Sequence, residues 1–193
     1  MHVNKKGIRV VGIAESFRRE LEKSVLAGIV MRSDFIIDGV GFNRITVGGM
    51  DATEGIVQLV ESLHRDDINL MMLNGCVISW FNIVDLQKVY EQLRIPLICV
   101  TYEESKGLEE HITLHFEARE RDVRIDAYKG LGERVPVKLY NHYDVLIRYL
   151  GIEKTEAELV LKKFTAHGRV PEPLRVARLM ARALLRADNQ FLG

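Results

Sequence analysis

Three apolar runs follow one another with short connections before any helical period begins, and that succession limits the chain more than any other feature. Residues 8–13 (IRVVGI), 24–32 (SVLAGIVMR) and 39–47 (GVGFNRITV) carry the β-branched and apolar side chains of buried strands. A charged segment, residues 17–23, joins the first two, and Asp34 with Asp38-Gly39 supplies turn chemistry before the third. The three are expected to form an antiparallel meander. The period then changes. Behind Gly48-Gly49, Asp51 or Thr53 can cap a helix whose apolar residues Ile56, Val57, Val60 and Leu63 fall three and four apart. Residues 68–73 (INLMML) read as a strand stopped by Asn74-Gly75. A helix over 82–93 follows by the same spacing (Ile83, Leu86, Val89, Tyr90, Leu93), then a short strand over 96–100.

The order βββαβαβ carries topological information. Strands that follow helices run parallel to their neighbour through right-handed crossovers. Placing the fourth strand beside the first gives an α/β fold with a mixed five-stranded sheet of order 3-2-1-4-5 and flanking helices. The carboxyl ends of strands 1 and 4 then meet at a switch point, where ligands bind in open α/β sheets. Ala14, Glu15, Ser16, Asn74, Gly75 and Cys76 stand there, with Glu54 in the first turn of the intervening helix. The remaining chain predicts one charged helix over 106–129 with Ile112, Phe116, Val123 and Ile125 inward, and edge strands over 135–140 and 145–149. Helices are expected over 155–164 and 172–185, with Pro171 and Pro173 flanking the start of the last.

Composition narrows the class. A chain of 193 residues suits one domain, spanning 1–193, and 27 Lys/Arg against 27 Asp/Glu weigh against a polybasic binder. Two cysteines without CxxC spacing fit a reducing interior. Residues 1–6 are polar, unlike a signal-peptide core, and the apolar stretch 25–31 is far short of the ~20 residues a membrane helix needs. A cytoplasmic protein without membrane attachment is expected.

A metal-dependent nuclease gathers carboxylates around Mg²⁺ or Mn²⁺, because hard cations take oxygen ligands. The switch point offers Glu15, Glu54 and Asn74 as a catalytic set, and Glu15, Glu54 and Asp85 as ion ligands; Asp51 lies nearby in sequence. Strand alternation sets a condition: if Ala14 faces the site, Glu15 faces away unless the strand bulges. A solvated strand end and a helix-dipole residue account for the same two glutamates without any chemistry. His111 and His115 have the i,i+4 spacing of a zinc pair but no third ligand, so an exposed helix face is expected. Trp80 with Phe81 reads as core or rim packing rather than a base-stacking platform. Cys76 has no histidine partner in view and reads as non-nucleophilic. The last helix stacks Arg175, Arg178, Arg182 and Arg186 on one face. Residues 154–193 hold eight Lys/Arg against four Asp/Glu, a local excess of four positive charges. With Arg169, the first three arginines are the candidate phosphate contacts; the same stripe also suits a solvated face of a helix packed through Leu174, Leu179 and Leu185.

On these residues the chain resembles endonuclease V and, more closely, a mainly archaeal family of endonuclease V-like proteins of unknown function. The segments that carry the resemblance are RVVGIAESF (9–17), MDATEGIVQLVESL (50–63), LNGCVISWFNIVDL (73–86) and GRVPEPLRVARLMARAL (168–184). The resemblance implies a ribonuclease H-like fold. It also implies Mg²⁺ chemistry near deaminated purines, using an Asp ending the first strand, a Glu opening the first helix and an Asp after the fourth strand. Glu54 matches the Glu, whereas Ala14 and Asn74 stand at the two Asp positions. Tyr102 replaces an expected Lys, no His lies near Gly151, and residues 44–47 read RITV where a tyrosine-bearing wedge is expected. The expectation is a protein that binds DNA, RNA or a nucleotide-like ligand on a degenerate nuclease site. The alternatives are an active, divergent Mg²⁺- or Mn²⁺-dependent endonuclease and a protein-interaction module.

Overall fold

The computed structural model describes residues 7–104, 107–140 and 143–191. In chain order the elements are β1 (Arg9–Ser16), β2 (Lys23–Arg32), β3 (Ile37–Thr46), α1 (Ala52–Ser62), β4 (Leu70–Asn74), β5 (Val77–Ile78) and β6 (Asn82–Ile83). They continue with α2 (Leu86–Leu93), β7 (Leu97–Thr101), α3 (Glu109–His115), α4 (Ala118–Gly130), β8 (Val135–Lys138), β9 (Asp144–Leu150), α5 (Lys154–Phe164) and α6 (Glu172–Phe191). The main sheet runs β3-β2-β1-β4-β7-β9-β8. Its first five members reproduce the expected 3-2-1-4-5 arrangement, β1–β4 and β4–β7 pairing in parallel and the meander antiparallel. The two edge strands expected near residue 140 extend it to seven, β9 pairing antiparallel with β7. Pro136 lies in the outermost strand, β8, opposite Leu146.

The sheet separates two apolar layers, and the alternation of β1 assigns its residues to them. Val10 and Ala14 pack with Phe164 of α5 and Leu174 and Ala177 of α6 on one face. Val11 and Ile13 pack with Ile56, Leu59 and Val60 of α1 and Val89 of α2 on the other. The long helix α6 crosses β1 and β2, with Ala181 and Leu185 against Val25 and Ala27. Its last turn is tied to β3 by an ion pair between Asp188 and Arg44.

Several local expectations change. The helix expected over 82–93 begins only at Leu86, because Asn82 and Ile83 form β6 and pair with β5 in a tight hairpin. Asn82 is fully buried there and holds three elements together. Its side-chain carbonyl accepts from the Ala52 amide at 2.9 Å, and its Nδ2 donates to the Thr46 carbonyl at 2.9 Å and to Asp51 at 2.7 Å. Asp51 therefore occupies the position before α1 without capping it, its carboxylate turned back to the Thr46 amide and hydroxyl. The charged helix is two, α3 and α4, broken at Phe116. Ile112 and Phe116 are buried as expected, whereas Val123 is exposed. Residue 106, where that helix is expected to begin, and residues 1–6 lie outside the described residues. On α6, Leu174 and Leu185 are buried, but Leu179 is 52% exposed and faces solvent with the arginines.

Candidate functional site

The carboxyl ends of β1 and β4 meet as the strand order requires, with Ile13 opposite Leu73 and hence Ala14 and Asn74 at one level. No bulge interrupts β1, and its pairing with β2 is regular through Ser16. The pleat therefore decides the geometry: Ala14 packs under α6, and Glu15 turns to the α1 face. Glu15 enters a small recess lined by Ile13, Leu26, Ile56, Leu73, Asn74 and Gly75. Its carboxylate lies beside the Ser79 amide and hydroxyl, and one oxygen, Oε2, is buried without a hydrogen-bond partner. Burial raises the Glu15 pKa, opposed by the Ser79 bonds and by the charge of Arg178.

Glu54 and Asp85 belong to a different space. Both line a cavity of about 750 Å³ between the starts of α1 and α2 and the segment from α4 to β9. Glu54 accepts from Lys88 Nζ at 2.6 Å, and that bond holds its pKa below the usual value. Asp85 caps α2, accepting from the Lys88 amide at 3.0 Å, while its own amide donates to Thr53 Oγ1 at 2.9 Å. At Asp51 burial pushes the pKa up, and the hydrogen bonds from Asn82 and Thr46 outweigh it. The cavity also contains Asp126, Glu133 and Arg148, so four acidic side chains face two basic ones. That lining carries a formal excess of two negative charges.

The basic residues gather on the α6 side of the same strand ends. A groove of about 360 Å³ is lined by Asn74, Gly75, Tyr102, Glu103, Arg169 and Arg178. Arg169 donates to the Tyr102 carbonyl at 2.8 Å and reaches Glu103 at 3.5 Å, which fixes its position at the rim. Arg175 is paired with Glu172 in the first turn of α6. Arg178, Arg182 and Arg186 continue outward along the exposed face of the helix. The structure thus places Asn74 between the two halves of the predicted site, with Glu15 on one face and the arginines on the other. It does not bring Glu15 together with Glu54 and Asp85. His111 and His115 are exposed; His115 stacks with Trp80 at 5.7 Å rather than joining other donors.

A thiol pair is present that sequence reasoning passed over. Cys76 and Cys99 are both buried as neighbouring free thiols, and Arg148 donates to Cys76 Sγ at 3.4 Å. The neighbouring Cys99 thiol, with the Arg148 charge, draws the Cys76 pKa down against the effect of burial. Its partners lie 23 and 72 residues away, so no local motif announces them.

The endonuclease dU family model matches residues 6–185. The chain belongs to the endonuclease dU family. Among its relatives, a UPF0215 protein from Pyrobaculum calidifontis is 37% identical over 172 residues, 89% of this chain and 93% of that protein. A crystal structure of a protein of unknown function from Archaeoglobus fulgidus is similar with a TM-score of 0.78 and 28% identity, covering 92% of this chain and 98% of that one. The crystal structure of Ciona intestinalis endonuclease V, in complex with a 24mer DNA containing an inosine followed by a ribo-adenosine, has a TM-score of 0.63 at 14% identity. It covers 94% of this chain and 87% of that one, a likeness of fold alone. The fold is ribonuclease H-like, and the resemblance to endonuclease V-like proteins holds. No helix among the described residues is long and apolar enough to cross a membrane.

The donors present in this chain do not fit the divalent-ion centre that the resemblance implies. Ala14 offers no ligand, Asn74 no charge, Glu15 is drawn into an apolar recess and Glu54 is committed to Lys88. Among the described residues no three His, Cys, Asp or Glu side chains converge as a metal ion would need.

The buried Glu15 has a measurable signature. Its pKa is raised in the folded state, so the native protein binds that proton more tightly than the unfolded chain. The stability this contributes is present below the ordinary value of 4.5 and lost as pH rises through the folded value. Glu15→Gln removes the penalty of a buried charge, and its melting temperature relative to the parent is expected to rise between pH 4.5 and neutrality. A difference independent of pH across that range would mean that Glu15 is solvated.

Proposed function

We propose that this protein binds DNA along the arginine side of the strand ends, on a ribonuclease H-like scaffold whose nuclease centre has lost its ion-binding carboxylates. The observation that carries the reading is the juxtaposition at Asn74-Gly75. An arginine-lined groove leads onto the basic face of α6, and the positions that would hold an ion are Ala14 and Asn74. Phosphate binding by Arg178 and its neighbours needs no metal, only accessible positive charge along a strand-sized path. Losing two formal carboxylates removes charge stabilisation from phosphoryl transfer, which costs several powers of ten in rate.

A second reading has its own support in the family match: an active endonuclease on deoxyuridine-containing DNA, as the family's name implies, using Mg²⁺ or Mn²⁺. One gel series separates the two. Labelled single- and double-stranded DNA and RNA, plain or containing deoxyuridine or inosine, are incubated with Mg²⁺ or Mn²⁺ and read for both cleavage and mobility. A shift of DNA that weakens with salt, without cleavage, is the expected result. Cleavage abolished by Glu54→Gln would establish the second reading and overturn the first. Absence of both signals, with a stable protein partner retained after nuclease treatment, would favour an interaction module.

A further inference from the structure

The hairpin between β5 and β6 turns through three consecutive side-chain-bearing residues in the left-handed region: Ser79 (φ 44°), Trp80 (φ 59°) and Phe81 (φ 63°). No glycine relieves it, and bulky residues at positive φ are rare because of steric conflict with their own backbone. Backbone strain of this kind persists only where the surroundings over-determine it. Here they do. The Ser79 hydroxyl is 2.6 Å from that of Ser24, its carbonyl accepts from the Gly48 amide at 2.8 Å, and the Glu15 carboxylate lies beside it at the strand end.

The result is an aromatic projection beside the switch point. Trp80 and Phe81 remain half-exposed, their rings 6.1 Å apart, backed by buried Phe116 at 5.4 and 5.7 Å. Arg19, itself exposed, lies over the Trp80 ring at 4.8 Å, next in sequence to exposed Arg18. Glu15 stands between this projection and α6, beside Ser79 on one side and within the field of Arg178 on the other. A partly exposed indole between two sources of positive charge matches the two requirements of single-strand recognition, a π-face for the base and cations for the phosphates.

We propose that Trp80, supported by Phe81, is a stacking platform for one unpaired base of a DNA strand whose backbone runs between Arg19 and the α6 arginines. The proposal deepens the DNA-binding reading and rests on it. The base takes the place now held by the Arg19 guanidinium, which moves to the flanking phosphate.

Trp80 is the single tryptophan of the chain, so intrinsic fluorescence reports the platform directly. Titration with an oligodeoxythymidine of about ten nucleotides, long enough for one binding site, is expected to quench the emission in a saturable manner. A blunt duplex is expected not to. Trp80→Leu is expected to weaken the mobility shift about tenfold or more while leaving its salt slope unchanged, since stacking releases no counterions. Because Trp80 also packs on Gly48, Trp80→Phe serves as a folded control that retains most of the affinity. A DNA shift with no quenching, or an unchanged affinity in folded Trp80→Leu, would overturn the platform and leave DNA binding standing. Quenching by an oligouridine of the same length, and not by the oligodeoxythymidine, would overturn the assignment to DNA. Loss of every shift in the parent protein would remove both proposals.

Discussion

Replacing Arg178, Arg182 and Arg186 together by glutamine is expected to weaken single-stranded DNA binding roughly 100-fold at about 0.1 M salt. Each phosphate contact on a single strand contributes about −0.7 to the slope of log K against log salt. Three contacts therefore account for a slope change of about 2, or roughly two powers of ten between 1 M and 0.1 M salt. The three side chains are exposed on one face of α6, so their removal takes no packing with it. Arg175 is left in place because it is already paired with Glu172. Mobility shifts at several salt concentrations give both numbers. An unchanged slope in a folded variant would mean that the backbone of the nucleic acid does not follow α6.

The second large effect concerns how α6 is seated. Gly12 lies in the middle of β1, where a Cβ would stand 2.5 Å from both the carbonyl carbon and the Cβ of Pro173. Neither atom belongs to a flexible side-chain end, so the helix as a whole must give way. Gly12→Ala is expected to cost about 3 kcal/mol, a fall in melting temperature of roughly 6–12 °C for a chain of this size. Gly130→Ala is the matched control, since nothing lies within 4 Å of a Cβ there. A variant at Gly12 that melts within two or three degrees of the parent would show α6 free to slide on the sheet. DNA binding is expected to fall with stability at Gly12 and not at Gly130, because the same contact that seats the helix sets where Arg178 meets the groove.

The five central strands are legible in the sequence because each is a compact apolar run, β-branched in all but β4 (LMMLN), and the topological rules then leave one economical order. The strand-end location of Glu15 and Asn74 follows from that order, as does the arginine face of α6 from spacing alone. What could not be read is equally physical. The β5–β6 hairpin has two-residue strands and turns through Ser79, Trp80 and Phe81, none of them a residue that announces positive φ, so Asn82 reads as helix. The break between α3 and α4 carries no proline or glycine. Whether Glu54 faces Glu15 depends on Lys88, 34 residues downstream, which holds it toward the acidic cavity instead. Strand pairing of β7 with β9 sets Cys99 opposite Arg148, and Cys76 joins them from the connection between β4 and β5.

The position of Pro136 reaches beyond the single molecule. The outermost strand on that side has a residue without an N–H and ends in the charge of Lys138. A strand offered by a second copy would find an interrupted hydrogen-bonding template there, which is how natural sheets resist joining edge to edge. The opposite margin, β3, has no proline in its ten residues and exposes Ile37, Val40 and Phe42. Any self-association by sheet extension is therefore directional, open at the meander side and blocked at the other, and so ends at a pair of molecules instead of growing into a fibre.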